Sequence, residues 1–200
     1  MYELFVGPPE LDAEWDDRGI DGVYRFLNRV WNLVMDSKDA DVKATKEMIK
    51  IRNKMVYDIT TRLESFSLNT VISGFMEYNN KLIDIAKKEG GIDKETLSTF
   101  AVLLAPFAPH MAEELWQQLG HEGTVFNAGW PTYDEDAMKD DEIEVAVQIN
   151  GKTRAVVTVP ADVSKEDAIK AGKEAVADKL TGTIVKEIYV PGRIINIVQK

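Results

Sequence analysis

The chain has 200 residues, enough for one or two domains, and 44% of them are apolar, enough to build a buried core. It has no cysteine, which excludes disulfides and thiolate metal sites, and two histidines, His110 and His121, are too few for most histidine-based metal centres. A net charge of −10 argues against a general nucleic-acid binder, and no apolar run approaches the length of a membrane span.

Residues 1–19 contain Pro8 and Pro9 and are acidic; six acids and one arginine lie between Glu10 and Asp21. This opening is expected to be a linker. It lacks a basic stretch followed by an apolar one and so is not a secretory signal. A first helix is predicted from about Asp21 to Ser37. A second is predicted from about Asp41 to Phe66, with Asp41 capping its start. A third runs from Leu68 to Glu89 and stops at Gly90-Gly91. Asp93 caps a fourth, which reaches about Ala105.

The stretch Leu103–Gly120, LLAPFAPHMAEELWQQLG, is a helix stopped and restarted. Pro106 lacks a backbone donor and disrupts a helix interior, whereas Pro109 suits the first turn of the next helix. Glu113 and Glu114 are expected near the positive end of the new helix dipole. Met111, Leu115 and Leu119, with Ala112 and Trp116 beside them, recur at helical spacing and form one apolar face. Residues 20–120 therefore predict an antiparallel helical bundle. Residues 121–141 are turn-rich and acidic and are expected to link two domains.

From Glu142 the period changes to two. Ile143, Val145 and Val147 alternate with more polar neighbours, and Thr153, Ala155, Val157 and Val159 continue the parity beyond Asn150-Gly151. A three-residue loop, Ile149-Asn150-Gly151, keeps that parity and is predicted in preference to a two-residue turn; it sets Lys152 and Arg154 together on the polar face. Ser164 caps a helix to about Leu180, with Asp167 in capping-box position. Strands Ile184–Val190 and Ile194–Val198 join through Pro191-Gly192. The expected fold is α+β in two domains, a helical bundle followed by a ββαββ domain over 142–200.

No catalytic constellation is present: no phosphate-binding glycine loop, no nucleophile elbow, no metal-spaced cluster. The string LLAPFAPHMAEELW resembles a signature of the anticodon-binding helical domain of class I aminoacyl-tRNA synthetases of the leucyl, isoleucyl and valyl group. Gly129-Trp130-Pro131 resembles that family's tryptophan–proline pair after the bundle. VYRFLNRVWNLV (23–34), FSLNTVISGFMEYNNKL (66–82) and VAVQINGKTR (145–154) are similar to the first helix, third helix and C-terminal hairpin of the bacterial leucyl branch.

The resemblance covers nearly the whole chain. It implies a C-terminal, tRNA-binding part whose catalytic and editing domains lie N-terminal to Met1, because the family's ATP signatures, HIGH-like and KMSKS-like, are both missing. This part is then expected to be inactive alone and to hold no cofactor, ATP and Mg belonging to the full-length enzyme. The implied partners are tRNA-Leu and the chain's own missing domains, with no membrane, in a cytoplasmic monomer.

Candidate RNA contacts follow the charge. Residues 1–141 carry 15 basic and 26 acidic side chains, and residues 142–200 carry 9 and 8. Lys43, Lys46, Lys50 and Lys54 fall within one arc of the second helix and could follow a phosphate backbone. On the first helix Arg25 and Arg29, with Arg18 and Asn32, lie opposite the apolar residues; arginine suits bidentate phosphate contacts. An ordinary solvated face, or salt bridges to the many nearby acids, are the competing explanations. Arg52, at the edge of the apolar arc, suits a partly buried ion pair better than RNA. In the C-terminal domain Lys152 and Arg154 stand near a hairpin tip and Arg193 follows the second turn. By resemblance this domain docks on the outer corner of tRNA, where shape and backbone are read. His110 fits a helix-start hydrogen bond. Trp31, Trp116 and Trp130 fit packing, and Trp15 fits contact with the missing catalytic domain.

Two other readings remain open at this point. One is the same region of a valyl, isoleucyl or methionyl enzyme; a coiled coil in the tail would point to valyl and a zinc-binding cysteine set to isoleucyl, and neither is present. A helical protein-interaction module without an RNA role is consistent with the acidic balance of residues 1–141.

Overall fold

The computed structural model describes residues 1–12, 14–139 and 142–200, which form two units, Met1–Met138 and Lys139–Lys200. In the first, the helical periodicities close around a main core, with a smaller cluster of Ala105, Ala112 and Val125 beside it. The helices are α1 (Tyr2–Phe5), α2 (Arg18–Ser37), α3 (Lys46–Glu64), α4 (Leu68–Glu89), α5 (Lys94–Leu104) and α6 (Pro109–Gln118). Val30, Met48, Met55, Ile59, Phe75, Leu82, Leu103 and Leu115 are buried at its centre. Full burial of one such side chain contributes about 1.5–3 kcal/mol.

The opening is not a free linker. Met1, Leu4 and Phe5 pack against the helical core, and Trp15 meets Tyr2 edge to face at 5.1 Å. α2 starts three residues before Asp21, with Asp17 at its N-cap.

α3 starts later than the sequence suggests. Thr45 is extended and its Oγ1 accepts the Met48 N–H at 3.2 Å, so the threonine rather than Asp41 caps the helix. Lys43 therefore lies outside α3. At the other end Phe66 turns the chain with φ of 55°, and α4 begins two residues on. α4 stops at Gly90 in the left-handed conformation that a side chain disfavours. Asp93 caps α5 by accepting the Thr96 N–H.

The proline corner forms as its residues dictate. α5 ends at Leu104, Pro106 is exposed, and α6 starts on Pro109. Between them Phe107 is buried edge-on against Phe75, which meets Phe100 on another side, both at 5.7 Å between ring centres. Ala112, Leu115 and Leu119 are buried, as the apolar face of this helix predicts.

Glu113 does not serve the α6 dipole; it lies beyond the first turn. Its Oε2 instead accepts the Thr124 hydroxyl at 2.8 Å and the Val125 N–H at 3.0 Å. These bonds begin the docking of residues 121–138, expected as a linker, onto the helical unit. His121 stacks on Trp116 at 3.8 Å. Trp130 Nε1 donates to Thr60, Tyr133 meets Tyr57 edge to face, and Asn53 Oδ1 accepts the Asp134 N–H. Turn-rich composition concealed these anchors, because they reach back about 70–80 residues along the chain. Asp140 and Asp141, in the same expected linker, lie outside the described residues, as does Ala13 in the opening.

The second unit is a four-stranded sheet in the order β2-β1-β4-β3, built from β1 (Glu142–Ile149), β2 (Lys152–Pro160), β3 (Ile184–Val190) and β4 (Ile194–Gln199). The hairpin pairs are antiparallel and the central β1–β4 pair is parallel. α7 (Lys165–Ala175) joins the two hairpins. Its Ala168 and Ile169 are buried with Val145, Val147, Ile195 and Ile197. Gly172 permits this close approach: a Cβ there would lie 3.0 Å from Ile195. The helix ends at Ala175, short of Leu180, as buried Val176 leaves helical geometry.

The β1–β2 turn corrects the three-residue loop. Ile149 pairs with Lys152 across a two-residue turn, Asn150-Gly151, with φ of 50° and 77°. Such a turn matches strand twist. The odd parity returns because Gln148 pairs with Thr153 and Val147 with Ala155, leaving Arg154 as the extra residue of a β-bulge.

Accepting those two hydrogen bonds holds the Glu113 carboxyl below its ordinary value. Its contribution to docking residues 121–138 is complete above that ordinary value and is lost as pH falls through the lowered one. Glu113→Gln should therefore melt below the parent protein at pH ~6, with the gap closing towards pH ~3; thermal scans at stepped pH check this.

Candidate nucleic-acid interface

Three basic regions were singled out by sequence, and their environments differ. On α2, Arg25 and Arg29 are exposed, one helical turn apart, on the side away from buried Val23, Phe26, Val30 and Val34. Arg18 is instead bound to Asp16 through both Nε and Nη2 at 3.0 Å. Arg29 and Asn32 border a cavity of about 330 Å³ that reaches Ile83 and Lys87 of α4.

On α3, Lys46, Lys50 and Lys54 follow one another at four-residue spacing along one face, and Lys43 precedes the helix. None of the three helical lysines is without a partner. The docking of Asp134 on Asn53 also carries the acidic run Asp134–Asp136 alongside this helix. A phosphate approaching α3 would compete with contacts already made. Arg52 is the structural ion pair its position suggested. Its Nη1 lies 2.8 Å from Glu95 and 3.5 Å from Asp93, with the guanidinium mostly buried. Asp93 thus caps α5 and ties it to α3.

In the sheet unit the turn carrying Lys152 is clamped from the side. The Asn150 side chain copies a strand residue: its Nδ2 donates to the Gln199 carbonyl at 3.0 Å, and its Oδ1 accepts the Gln199 N–H at 2.9 Å. Asn196 Oδ1 accepts the Gly151 N–H, and Gln199 reaches Lys179 and Gly182. Lys152 and Arg154 are exposed beside this clamp. Lys179 joins them by donating to the Arg154 carbonyl at 3.3 Å. Sequence reasoning missed Lys179, which sits in a short 3₁₀ turn brought to the hairpin only by the tertiary fold. Arg193 is not part of this cluster. The parallel register places it before Ile194, which pairs with Ala146, about 10 Å back along the strands from the Ile149–Ile197 pair.

The remaining candidates differ in setting, and α6 starts without a side-chain cap bond, so the helix-start hydrogen bond expected of His110 is not among those found. Trp31 and Trp116 are half-buried, Trp130 is tied to Thr60, and Trp15 and His110 are exposed. Ser98 and His121 lie 2.7 Å apart but do not form a nucleophile–base pair. The Ser98 hydroxyl donates to the Lys94 carbonyl, so His121 Nε2 must donate to Ser98 rather than accept from it. Burial and the charge of Lys94 push the His121 pKa down. Among the described residues no group of three or more His, Cys, Asp or Glu is placed to hold a metal, and no helix is long and apolar enough to cross a membrane.

Residues 45–169 match the anticodon-binding domain of tRNA ligases. The chain belongs to this family; the matched stretch takes in α3 to α6, the segment docked on them and the first strands of the sheet unit. Its relatives narrow the comparison further. Leucine–tRNA ligases of Fervidobacterium nodosum and Parabacteroides distasonis are each 43% identical, over 100% and 99% of this chain. That of Chlorobaculum parvum is 42% identical over 100% of it. The chain spans only about a quarter of these relatives' length (26%, 21% and 25%). Among solved structures, the agnB2 LeuRS of Agrobacterium radiobacter K84, in a ternary complex with tRNA and LeuAMS, superposes with a TM-score of 0.79. Identity there is 28%, covering 100% of this chain and 28% of that one.

Asn150→Ala should remove the clamp and leave a non-glycine, non-asparagine residue in a left-handed conformation. The expected loss is about 2–4 kcal/mol in the sheet unit, from two hydrogen bonds and the backbone term. Faster hydrogen exchange at Gly151 and Gln199, measured by NMR, checks it.

Proposed function

We propose that this chain is the tRNA-binding C-terminal part of a leucine–tRNA ligase. Its bundle and ββαββ unit hold tRNA-Leu while absent catalytic and editing domains attach and proofread leucine. The observation that supports this most directly is coverage: leucine–tRNA ligases align with both units of the chain from end to end at 43% identity. A bundle alone would fit several tRNA ligases; the small sheet unit is covered as well.

The chemistry open to these residues is recognition of backbone and shape. The clamped turn carries exposed Lys152 and Arg154, with the Lys179 ammonium on the Arg154 carbonyl, cations suited to phosphate and sugar on the outer corner of a folded RNA. On the bundle, Arg25 and Arg29 offer planar guanidiniums to a phosphate backbone, and Lys46, Lys50 and Lys54 a weaker, already engaged stripe. Lys43 and Arg193 are outlying contacts in this reading.

ATP and Mg go with the family's ATP signatures, HIGH-like and KMSKS-like, which this sequence does not carry. In our reading both act in the part of the full-length enzyme that this chain does not span, and the chain alone does not form leucyl-tRNA. It works as a monomer in the cytoplasm, in contact with its own catalytic domain.

Binding to tRNA-Leu, followed by fluorescence anisotropy against salt, tests this. Affinity should fall linearly on a log–log plot, and Lys152→Glu with Arg154→Glu should flatten the slope by about 1–2 and weaken binding at every salt concentration. Salt-independent binding, or binding that the double substitution leaves unchanged together with Arg25→Gln and Arg29→Gln, would overturn it.

A further inference from the structure

Between α2 and α4 runs a groove of about 260 Å³, walled on α2 by Gly22, Arg25, Phe26 and Arg29 and on α4 by Met76 and Asn79. Asn79 is its unusual member. It is 1% exposed, and neither Oδ1 nor Nδ2 has a partner among the described residues. A buried amide in this state has given up its bonds to water and regained none. An apolar side chain of similar size would pack the position without that loss. The chain thus carries a destabilising group at the floor of a groove edged by two cations.

Each wall has a distinct chemistry. The two guanidiniums, one turn apart, suit a phosphate. Half-buried Met76 and the largely buried Phe26 give the groove an apolar lining. An amide presents a donor and an acceptor in one plane, the complement of the paired groups on a nucleobase edge. The volume holds one base, not a longer segment. Gly22 borders the groove without a side chain, and a Cβ built there lies in open space.

We propose that this groove seats a single unstacked nucleotide of bound RNA, its phosphate on Arg25 and Arg29 and its base edge on the Asn79 amide. Contact requires Asn79 to turn towards the groove, a rotamer change that breaks no hydrogen bond recorded in the structure. The proposal rests on the tRNA-binding reading above, and adds a base-contacting position to it.

Two variants separate a binding role from a structural one. Asn79→Leu should raise the melting temperature, because it replaces an unpaired amide with apolar volume, and should weaken tRNA-Leu binding by ~5-fold or more. Gly22→Leu should fill the mouth, keep the fold and weaken binding similarly. In parallel, the Asn79 side-chain amide signals are followed by NMR while AMP, GMP, CMP or UMP is titrated into the 200-residue chain. A saturable shift with at least one nucleotide, together with weaker tRNA binding by both variants, is the expected result. A shift with unchanged tRNA affinity would assign the groove to free nucleotides and overturn the RNA assignment. A lower melting temperature for Asn79→Leu, or no shift with any nucleotide, overturns the Asn79 contact. If the parent chain binds no tRNA while the amide shifts, the tRNA-binding reading fails and the nucleotide seat stands.

Discussion

The corner from Ala105 to Pro109 decides where the second half of the helical unit lies. Pro106 has no N–H with which to continue α5, and Pro109 suits the first turn of α6, so the helix breaks between them. What gives the turn a direction is Phe107, which drops into the core against Phe75 while Phe75 also meets Phe100. That contact sets α6 against α5. From α6, Glu113 then reaches Thr124 and Val125 and starts the docking of residues 121–138. Trp130, Tyr133 and Asp134 complete it on α3. A break in the helix therefore organises everything that follows it within this unit.

The sheet unit depends on a different constraint. Two antiparallel hairpins are easy local products, but joining them through a parallel β1–β4 pair needs the α7 crossover and a buried face on both central strands. Because β1 and β4 run the same way, the Asn150-Gly151 turn ends beside the C-terminal end of β4. Asn150 can then bond Gln199 as if it were a strand residue. The turn that carries Lys152 is thereby tied to β4 through Gln199 and Asn196.

Charge is distributed to favour local over general attraction. The excess of acids repels polyanions at a distance, so in the reading proposed above a phosphate backbone would be held only where shape brings it close to exposed cations. The structure divides the basic side chains accordingly. Arg52 is consumed in holding α3 to α5, Arg18 in binding Asp16, and the α3 lysines are engaged. Arg25, Arg29, Lys152 and Arg154 sit exposed on well-packed elements.

Local chemistry made much of this legible in advance. Helical periodicity, the Asp93 and Ser164 caps, the Gly90 stop and the two prolines each act within a few residues, so the helices, the ββαββ order and the break at Pro106 could be read directly. The start of α3 could not, because Asp41 and Thr45 are both good caps and the choice between them was not settled by type. Nor could the turn at Asn150-Gly151, where a bulge at Arg154 restores the same parity as a longer loop would. Contacts over long separations were beyond the sequence altogether: the docking of residues 121–138, the arrival of Lys179 at the hairpin, the distance of Arg193 from it and the unpartnered Asn79 beside the arginines. The sequence by itself determined the elements and the kinds of side chain each one carries. Only the tertiary structure decided which of those side chains meet, because that depends on packing between residues with no local influence on one another.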